Sequence, residues 1–367
     1  MRILIAAGGT GGHIYPGLAI AQKIKKENPD AEIIFIGSKV GMEKNIIPQT
    51  GYPIEYVRVR GFERGFSLET LAAVKGIFDG LMDSQKVLKR LRPDLVIGTG
   101  GFTSGPLLLL ASRRKIPTMI HEQNAYPGRA NRMLGKKVDR IAISFQEAAC
   151  YFPEGKTFLA GNPVGSEYLD LNSRECRKSL GLLDFQKMIL IMGGSQGAGS
   201  INDGALALMK AWEDRNDRVI YHLTGKQQYN EVLKAFGDLG IKASENNHIQ
   251  AYSDEVYRLL GAADLVVSRA GAMSVAEIAA AGTASVLVPY PMAAGNHQDF
   301  NARVLTDHGG GILIEDSMLT GEFLLETVEE LLNDENRLKK MGEISKSLRI
   351  LDAGDRIYEE INKLMEK

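Results

Sequence analysis

Two shortages in this sequence exclude whole classes of protein. There are only two cysteines, Cys150 and Cys176, which lack the spacing of metal ligands and could form at most one bridge. They indicate reduced thiols, as in a cytosolic protein. Membrane-spanning apolar runs are also missing, since the uncharged stretch from Ile278 to Gln298 is interrupted by two prolines. The N-terminal apolar run Ile3–Ala7 is only strand-sized and leads into glycines, unlike a signal peptide. We therefore expect the chain to stay in the cytoplasm.

Charge of one sign does not predominate either, because the net charge is −1. The two halves nevertheless differ. Residues 1–162 contain 23 basic and 14 acidic residues, a net charge of +9, and the remainder contains 21 and 31, a net charge of −10. This asymmetry suggests that the first half faces an anionic partner. Nucleic acid, anionic lipid and a pyrophosphate substrate all fit, and so does chance segregation of solvated surface charge.

The chain has 367 residues, which is more than usually fold around a single hydrophobic core. This length suits two domains of roughly 150–200 residues. A strand-like run, a glycine loop and a helix-like stretch occur in that order twice, starting at Ile3 and again at Met188. In the first copy the helix is predicted over Gly17–Lys26. The repeat predicts two βαβ domains in tandem, 1–162 and 163–367, with the last helix free to pack back on the first domain.

Further strand-sized apolar runs alternate with helical patterns in both halves. They are Ile33–Ile36, Leu95–Ile97, Thr118–His121, Arg140–Ser144, Val219–Leu223, Leu265–Val267 and Ser285–Val288. Short buried strands separated by helices predict parallel sheets that are covered on both faces. The predicted fold class is therefore α/β, with two Rossmann-like, doubly wound parallel-sheet domains.

Three glycine loops directly follow strand-like runs, namely Gly8–Gly12, Gly98–Gly101 and Gly193–Gly197. Glycine lets the backbone approach a phosphate, and the following helix supplies free N–H donors. Tight turns also need glycine, so one such loop would be weak evidence. Dinucleotide binding is not favoured, because Ile14 and Thr103 stand where the third glycine of that fingerprint would be. The sequence also lacks a phosphate-binding loop of the G-x-x-x-x-G-K-[ST] type.

The segment Ser268–Glu277 follows a strand and opens a helix. Backbone N–H groups near Ala272 or Ser274 could hold a diphosphate. Glu277 could accept hydrogen bonds from both hydroxyls of a ribose, because an ionised carboxylate only accepts. Alternatively, Glu277 merely stabilises the helix dipole. The amide-rich loop Gly295–Ala302 suits the hydroxyls of a sugar, unless it is an ordinary surface turn.

Taken in chain order, the motifs form a specific set. They are Gly8-Gly9-Thr10-Gly11-Gly12-His13, Pro16-Gly17, Gly98-Thr99-Gly100-Gly101, His121-Glu122-Gln123-Asn124, Gly161-Asn162-Pro163, Gly193-Gly194-Ser195-Gln196-Gly197-Ala198 and Ser268-Arg269-Ala270-Gly271-Ala272 through Glu277. This set resembles the bacterial cell-wall N-acetylglucosaminyltransferases that convert lipid I to lipid II, the MurG family. The likeness extends from Ile3 to about Ala302. It implies the GT-B fold, in which two Rossmann-like domains face each other across a cleft.

The resemblance also implies the substrates and their sites. The first domain would bind the lipid-linked acceptor, lipid I, and the second UDP-N-acetylglucosamine. The implied donor-site residues are Ser195 at the diphosphate, Ser253 beside the uracil, Arg269, the helix start formed by Ala272, Met273, Ser274, Val275, Ala276 and Glu277, and Gln298 at the sugar. Thr10, Gly11, Gly12 and Asn124 would line the site from the first domain. Some members carry an arginine just after Asn-Pro, whereas here Val164-Gly165 follows, so no site residue is assigned there.

The implied reaction is an inverting displacement. The C4 hydroxyl of the N-acetylmuramoyl sugar attacks the anomeric carbon of N-acetylglucosamine, and UDP leaves. Backbone N–H groups and helix dipoles can stabilise the leaving diphosphate, and no D-x-D pair stands where a metal-dependent transferase needs one. We therefore expect no obligatory metal and no cofactor. His13 is the preferred general base and Glu122 the second candidate; alternatively, His13 only packs against its loop and caps the next helix.

Three other functions share features with this sequence. A diacylglycerol glycosyltransferase would share the second-half motifs. A UDP-N-acetylglucosamine epimerase would need more carboxylates than Glu122 in the first-half motifs, and a non-catalytic nucleotide-sugar sensor would not need a basic first half. Nucleic acid is not an expected partner of the family.

Because the implied acceptor is lipid-linked, we expect the protein to dock on an anionic membrane. The candidate segment is Phe66 to Arg92, where apolar residues recur at helical spacing beside basic ones. The apolar residues are Leu71, Val74, Ile77, Phe78, Leu81 and Met82, and the basic residues are Lys75, Lys86, Lys89, Arg90 and Arg92. Such a helix more often packs its apolar face on its own domain. We expect a peripheral protein on the cytoplasmic face of the bacterial membrane.

Overall fold

The computed structural model describes residues 1–59 and 68–366. The chain divides into two compact units, of which the first consists of Met1–Pro163 together with Asp352–Lys367 and the second of Val164–Leu351. Each unit has its own parallel sheet and its own hydrophobic core.

Five of the seven described strands of the first unit coincide with apolar runs predicted from its sequence. The strands of this unit are β1 (Arg2–Ala7), β2 (Glu32–Gly37), β3 (Ile54–Tyr56), β4 (Leu95–Gly100), β5 (Thr118–Glu122), β6 (Arg140–Ile143) and β7 (Thr157–Leu159). Among the described residues they form one seven-stranded sheet in the order β3-β2-β1-β4-β5-β6-β7, and the neighbouring strands are parallel. The central strands are buried on both faces, which is why their sequences are almost continuously apolar.

Helices connect these strands on both faces of the sheet. They are α1 (Gly11–Glu27), α2 (Glu43–Gln49), α3 (Leu68–Leu91), α4 (Ser104–Arg113) and α5 (Arg129–Gly135). The predicted start of α1 at Gly17 is wrong, because the helix already begins in the glycine loop and contains Pro16. Proline removes only one helical N–H donor, and the Thr99 hydroxyl anchors the first turn by donating to the His13 carbonyl over 2.7 Å.

Successive side chains of β1 point to opposite faces of the sheet, so the core of the first unit lies on both faces. Ile3 and Ile5 pack on one side with α1, whereas Leu4 and Ala6 pack on the other with α3 and α4. The last helix of the chain, which spans Ala353–Met365, also covers the first side. It inserts Ile357, Ile361 and Leu364 at helical spacing.

The second unit repeats this plan. Its strands are β8 (Lys187–Met192), β9 (Arg218–Leu223), β10 (Asn247–Gln250), β11 (Leu265–Ser268), β12 (Ala284–Leu287) and β13 (Gly311–Leu313), all parallel to their neighbours. Within the described part of the chain they form a six-stranded sheet in the order β10-β9-β8-β11-β12-β13. The prediction of two doubly wound α/β units is thereby confirmed.

Helices also cover the sheet of the second unit. They are α6 (Ser173–Ser179), α7 (Gly199–Ala211), α8 (Tyr229–Asp238), α9 (Val256–Ala262), α10 (Ala272–Ala281), α11 (His297–Thr306), α12 (Gly321–Asn333) and α13 (Glu335–Ser347), and the Ala353–Met365 helix of the first unit is α14. Helices α7 and α12 pack together over β8.

The predicted membrane-docking segment is only partly described. Residue Phe66 and the side chains of Leu71, Val74, Lys75 and Ile77 lie outside the described residues. On the described part of α3, Phe78 is 64% exposed and Met82 is 45% exposed. Among the described residues there is no helix whose length and hydropathy would let it span a bilayer.

Candidate active site

The predicted site residues of the first unit follow the carboxyl ends of neighbouring strands. The loops after β1, β4 and β5 leave the same edge of the sheet, because β1 pairs with β4 and β4 with β5. In open parallel sheets ligands bind at this edge. The residues Thr10, Gly11, Gly12, His13 and Asn124 are therefore brought to one edge of the first unit.

The first glycine loop passes directly into α1. Thr10 is the N-cap, and its carbonyl accepts the N–H groups of His13 and Ile14 at 3.1 and 3.2 Å. The His13 ring turns back over the loop, with Nδ1 3.2 Å from the Gly8 carbonyl oxygen. The same nitrogen lies 3.4 Å from the Thr10 hydroxyl, which can accept from it or donate to it. A carbonyl only accepts, so the shorter bond to Gly8 forms when a neutral imidazole carries its proton on Nδ1 and its lone pair on Nε2.

The second glycine loop supports the first. Gly101 has a φ of +78°, and a Cβ there would overlap the Gly8 carbonyl oxygen. Gly100 has a φ of +114°, and its Cβ would lie 2.5 Å from Cδ2 of the His13 ring. Close backbone approach and positive φ explain both glycines, so we assign this loop a packing role against the first loop and His13.

Glu43 contacts the first glycine loop and was not among the predicted site residues. It begins α2 and is completely buried. Its carboxylate accepts the N–H of Gly9 at 2.9 Å and that of Ser38 at 2.7 Å. The only sequence signal was an acidic residue shortly after the glycine that ends β2, which is too common to indicate a site.

The structure does not favour Glu122 as a base. Its carboxylate is 1% exposed, and each of its oxygens accepts two N–H donors. The donors are Asn124 N and Nδ2 on Oε1, at 2.9 and 3.1 Å, and Gly128 N and Asn131 Nδ2 on Oε2, at 3.0 and 2.9 Å. Burial raises the pKa of the Glu122 carboxyl, while the bonds from Asn124, Asn131 and Gly128 oppose that rise. This carboxylate braces the Asn124 loop and is not placed to reach a solvent-exposed hydroxyl.

A buried polar network joins the two motifs His121–Asn124 and Gly161–Pro163. His121 Nε2 lies 3.0 Å from the Gly161 carbonyl, and Ser144 donates to Asn162 Oδ1 at 2.8 Å. Asn162 in turn donates to the Gln123 carbonyl at 3.0 Å. Burial lowers the pKa of His121 to about 4, so this histidine is neutral and structural.

In the second unit the site residues again follow the carboxyl ends of the strands. The loop after β8 forms a tight turn, in which the Gly197 N–H donates to the Gly194 carbonyl at 3.0 Å. Ser195 is exposed in this turn. Within the described residues, the N–H groups of Gly194, Ser195 and Gln196 have no hydrogen-bond acceptor. They can therefore bind an anion, as expected of a phosphate loop.

Helix α10 offers a second set of donors at the same edge. Gly271 is its N-cap, so the N–H groups of the first helical residues lack helical acceptors. Val275, which was predicted to bind substrate, has neither its side chain nor its N–H available to a ligand in this structure. The side chain is fully buried, and the N–H donates to the Gly271 carbonyl at 2.9 Å.

Glu277 lies further along α10. Burial raises the pKa of its carboxyl to about 7, and no described residue donates a hydrogen bond to it. The buried Tyr168 lies close enough for Glu277 to raise the pKa of its hydroxyl, together with burial, which is the larger cause. A carboxylate that is partly desolvated and lacks a donor is suited to two ligand hydroxyls.

Arg269 is tied into the protein. Its guanidinium donates to Asp316 at 2.5 Å, to the carbonyls of Val288 and Pro289 at 3.2 Å each, and to the Ser200 hydroxyl at 3.2 Å. These bonds join the ends of β11 and β12 to the start of α7. Arg269 therefore fixes the loops of the site, and most of its donors are already used.

The remaining predicted residues lie at the same edge. Ser253 follows β10 and accepts the Glu255 N–H at 3.1 Å, and Gln298 in α11 accepts the Tyr290 N–H at 2.9 Å. Lys226 was not among the predicted residues, and its ammonium lies 4.5 Å from the centre of the Tyr252 ring. A lysine over an exposed aromatic ring beside the phosphate loop suits a nucleotide.

The comparisons with known proteins match this architecture. The model of the glycosyltransferase family 28 N-terminal domain matches residues 3–143, and that of the family 28 C-terminal domain matches residues 188–357. The crystal structure of Acinetobacter baumannii MurG is similar over 99% of both chains, with a TM-score of 0.78 and 28% sequence identity. The protein is thus a glycosyltransferase with two Rossmann-like domains, the GT-B class.

Relatives with assigned names identify the family to which the chain belongs within the GT-B class. A protein of Acetivibrio thermocellus, named UDP-N-acetylglucosamine--N-acetylmuramyl-(pentapeptide) pyrophosphoryl-undecaprenol N-acetylglucosamine transferase, is 44% identical over 367 residues and covers 100% of this chain and 99% of its own. A protein of that name, numbered 1, from Bacillus thuringiensis subsp. konkukian is 40% identical over all of both chains. The chain belongs to this transferase family, so the resemblance found in the sequence is confirmed. A UDP-GlcNAc 2-epimerase from Neisseria meningitidis, 16% identical with a TM-score of 0.67, shares the fold only.

Proposed function

We propose that the protein transfers N-acetylglucosamine from UDP-N-acetylglucosamine to the C4 hydroxyl of the N-acetylmuramoyl sugar of lipid I. The product is the β-1,4-linked lipid II used in peptidoglycan synthesis. The observation that carries this proposal is the 40–44% identity, over the whole chain, to transferases named for this reaction. Neither a diacylglycerol glycosyltransferase nor an epimerase has comparable support.

The donor is assigned to the second unit. The N–H groups of Gly194–Gln196 and the first turn of α10 would bind the diphosphate, and Glu277 would accept the ribose hydroxyls. Tyr252 and Ser253 would lie beside the uracil, with Lys226 near the diphosphate. Gln298 keeps its amide N–H₂ for the sugar, because its carbonyl oxygen already holds the Tyr290 loop.

Catalysis needs stabilisation of the leaving UDP and removal of a proton from the attacking hydroxyl. Charge that builds on the diphosphate would be stabilised by fixed N–H donors and the dipole of α10, without a metal. His13 is the proposed base, since the bond of Nδ1 to the Gly8 carbonyl presents an unprotonated Nε2. Glu122 is assigned to bracing Asn124, which would contact the acceptor.

The proposed function is tested by product analysis. The purified protein is incubated with labelled UDP-N-acetylglucosamine alone, with lipid I, and with diacylglycerol. We expect label in a lipid product only with lipid I, together with release of UDP. Epimerised nucleotide sugar in the absence of lipid would identify an epimerase, and labelled diacylglycerol would identify the other transferase; either result would overturn the proposal.

We further propose that the first unit docks on the anionic cytoplasmic leaflet. Phe78 and Met82 are one helical turn apart on α3 and both exposed, with Lys86 and Arg90 continuing the same side of the helix. Arg90 also pairs with Glu55 at 2.9 Å. Exposed apolar residues beside basic ones suit the headgroup region of a bilayer, and the acceptor is itself lipid-linked.

A further inference from the structure

Glu43 fills a closed space beside the first glycine loop, bounded by glycines and by two N–H donors. The side chain is completely buried, which is costly for a charged group unless it is hydrogen-bonded. Its two oxygens accept N–H groups from two different loops, Gly9 after β1 and Ser38 after β2. Such charge-assisted bonds are short and strong, so the carboxylate links both loops at the edge where the site lies.

Three glycines surround this side chain because larger residues would collide with it. A Cβ on Gly37 would lie 2.5 Å from Glu43 Cγ, and one on Gly8 would lie 2.9 Å from Oε1. A Cβ on Gly41 would overlap the carboxylate itself. Part of the glycine content at this edge therefore serves Glu43 and not a phosphate.

One peptide group connects Glu43 with His13. The N–H of the Gly8–Gly9 peptide donates to Glu43 Oε2, and the carbonyl of the same peptide faces His13 Nδ1 at 3.2 Å. Gly9 has a φ of +94°, which a residue with a side chain would rarely adopt. The plane of this peptide is thus held at both ends.

We propose that Glu43 is a positioning residue for the reaction, which acts on His13 through the Gly8–Gly9 peptide group. The anion on the N–H side fixes the peptide plane and polarises it, so that the carbonyl becomes a better acceptor for Nδ1–H. The bond then keeps the proton on Nδ1 and the lone pair on Nε2. The inference rests on the proposed function, because it takes His13 as the base.

The kinetic test is a double-mutant cycle with Glu43→Gln and His13→Ala. The glutamine keeps the size of the side chain, but one of its two terminal groups donates and cannot accept the second N–H. We expect Glu43→Gln to lower kcat about tenfold or more, and less than loss of the base, which typically costs about 10²–10⁴. The KM for UDP-N-acetylglucosamine should stay within about twofold of wild type. In the His13→Ala background Glu43→Gln should have no further effect on kcat.

An equal loss of kcat in both backgrounds would show a general structural role and overturn the proposal, and so would an unchanged kcat in Glu43→Gln. A matched control is Asp139→Asn. That carboxylate holds Thr118 N and Oγ1, at 2.8 and 2.7 Å, at the opposite edge of the same sheet. We expect the control to lower thermal stability without changing kcat.

A spectroscopic readout separates this proposal from the proposed function. Nitrogen-15 spectra of histidine-labelled protein report which ring nitrogen carries the proton, and the signals of His13 among the six histidines are those lost in His13→Ala. In neutral imidazole we expect the proton on Nδ1 in wild type and Asp139→Asn, and a mixture of tautomers in Glu43→Gln. An unchanged tautomer in Glu43→Gln would refute the link. If instead His13→Ala keeps full activity while Glu43→Gln alters the tautomer, the link stands and the assignment of the base fails.

Discussion

The glycine loops of the two units follow equivalent strands, β1 and β8, but their N–H groups face different surroundings. In the first loop the Gly9 N–H is bound by the buried Glu43 carboxylate. In the loop after β8 the N–H groups of Gly194, Ser195 and Gln196 have no acceptor among the described residues. A glycine loop after a strand is therefore not by itself a phosphate site, because the first already holds an anion supplied by the protein.

The two loops are nevertheless packed by the same device. In each unit a glycine from a neighbouring strand end lies against the loop, where a Cβ would overlap its backbone. Gly101 after β4 approaches the Gly8 carbonyl, and Gly225 after β9 approaches Gly197. The packing is shared, whereas the neighbouring charged groups differ. Glu43 binds the first loop directly, while Arg269 in the second unit is paired with Asp316 and donates to Ser200 at the start of α7.

The largest expected effect tests the catalytic half of this comparison. His13→Ala should lower kcat by about 10²–10⁴, the usual contribution of a general base, because the first loop is proposed to present the base and not to bind phosphate. The affinity for UDP-N-acetylglucosamine should not change, since the donor is assigned to the second unit. Turnover at saturating lipid I and calorimetric nucleotide binding are the measurements. Near-normal turnover would exclude His13 as the base.

The second-largest effect is expected at the proposed nucleotide site of the second unit. Glu277→Ala should weaken binding of UDP-N-acetylglucosamine by about 1.5–3 kcal/mol, the value of hydrogen bonds to a charged group, or roughly 10- to 150-fold. Isothermal titration calorimetry measures this loss, and circular dichroism checks that the fold is kept. An affinity equal to that of wild type would remove Glu277 from the ribose site.

Binding of the nucleotide should also depend on pH. Burial raises the pKa of Glu277 to about 7, and only the ionised carboxylate accepts from both ribose hydroxyls. Affinity should therefore increase as the pH rises towards about 7 and level off above it, with a fall of up to about tenfold per pH unit below. The nearby Tyr168 has a raised pKa and stays neutral in this range. Glu277→Gln should flatten the profile, and a persistent slope in that variant would assign the titration to another group.

A smaller effect distinguishes the basic first unit from the acidic second. The protein should co-sediment with anionic vesicles and be released by salt, because basic residues near such a surface contribute about 1 kcal/mol each. The double variant Phe78→Asp, Leu81→Asp, shown to remain folded, should bind less. Equal binding to anionic and neutral vesicles, or equal binding by the variant, would exclude this part of α3 as the anchor.

The last prediction concerns metal ions, whose removal should have no effect on turnover. Excess chelator should leave turnover unchanged. The leaving diphosphate is proposed to be stabilised by the N–H groups of the loop after β8 and by the dipole of α10, not by a metal ion. The comparison would need revision if chelation abolished activity and added divalent cation restored it.

The strands show how far the sequence could predict the fold. All the runs predicted as strands are strands, because central strands buried on both faces must be continuously apolar. The strands that the sequence analysis missed are β3, β7, β10 and β13, which are the two edges of each sheet. They have only three or four residues and are mostly half-buried, so their sequences carry at most a short apolar run, as in β13, and no longer alternating pattern. They exist because a neighbouring strand offers an open edge.

The sequence by itself determined the α/β class, the tandem repeat, the motifs of the family and the catalytic candidate His13. Each of these depends on local order along the chain: an apolar run, a glycine loop and a helix. Tertiary structure decided what the motif residues do. It buried Glu122 among four donors, used the guanidinium of Arg269 within the protein, turned Val275 into the core and placed Glu43 beneath the first loop. These roles depend on which side chains meet across distant segments, and neither periodicity nor residue type specifies those contacts.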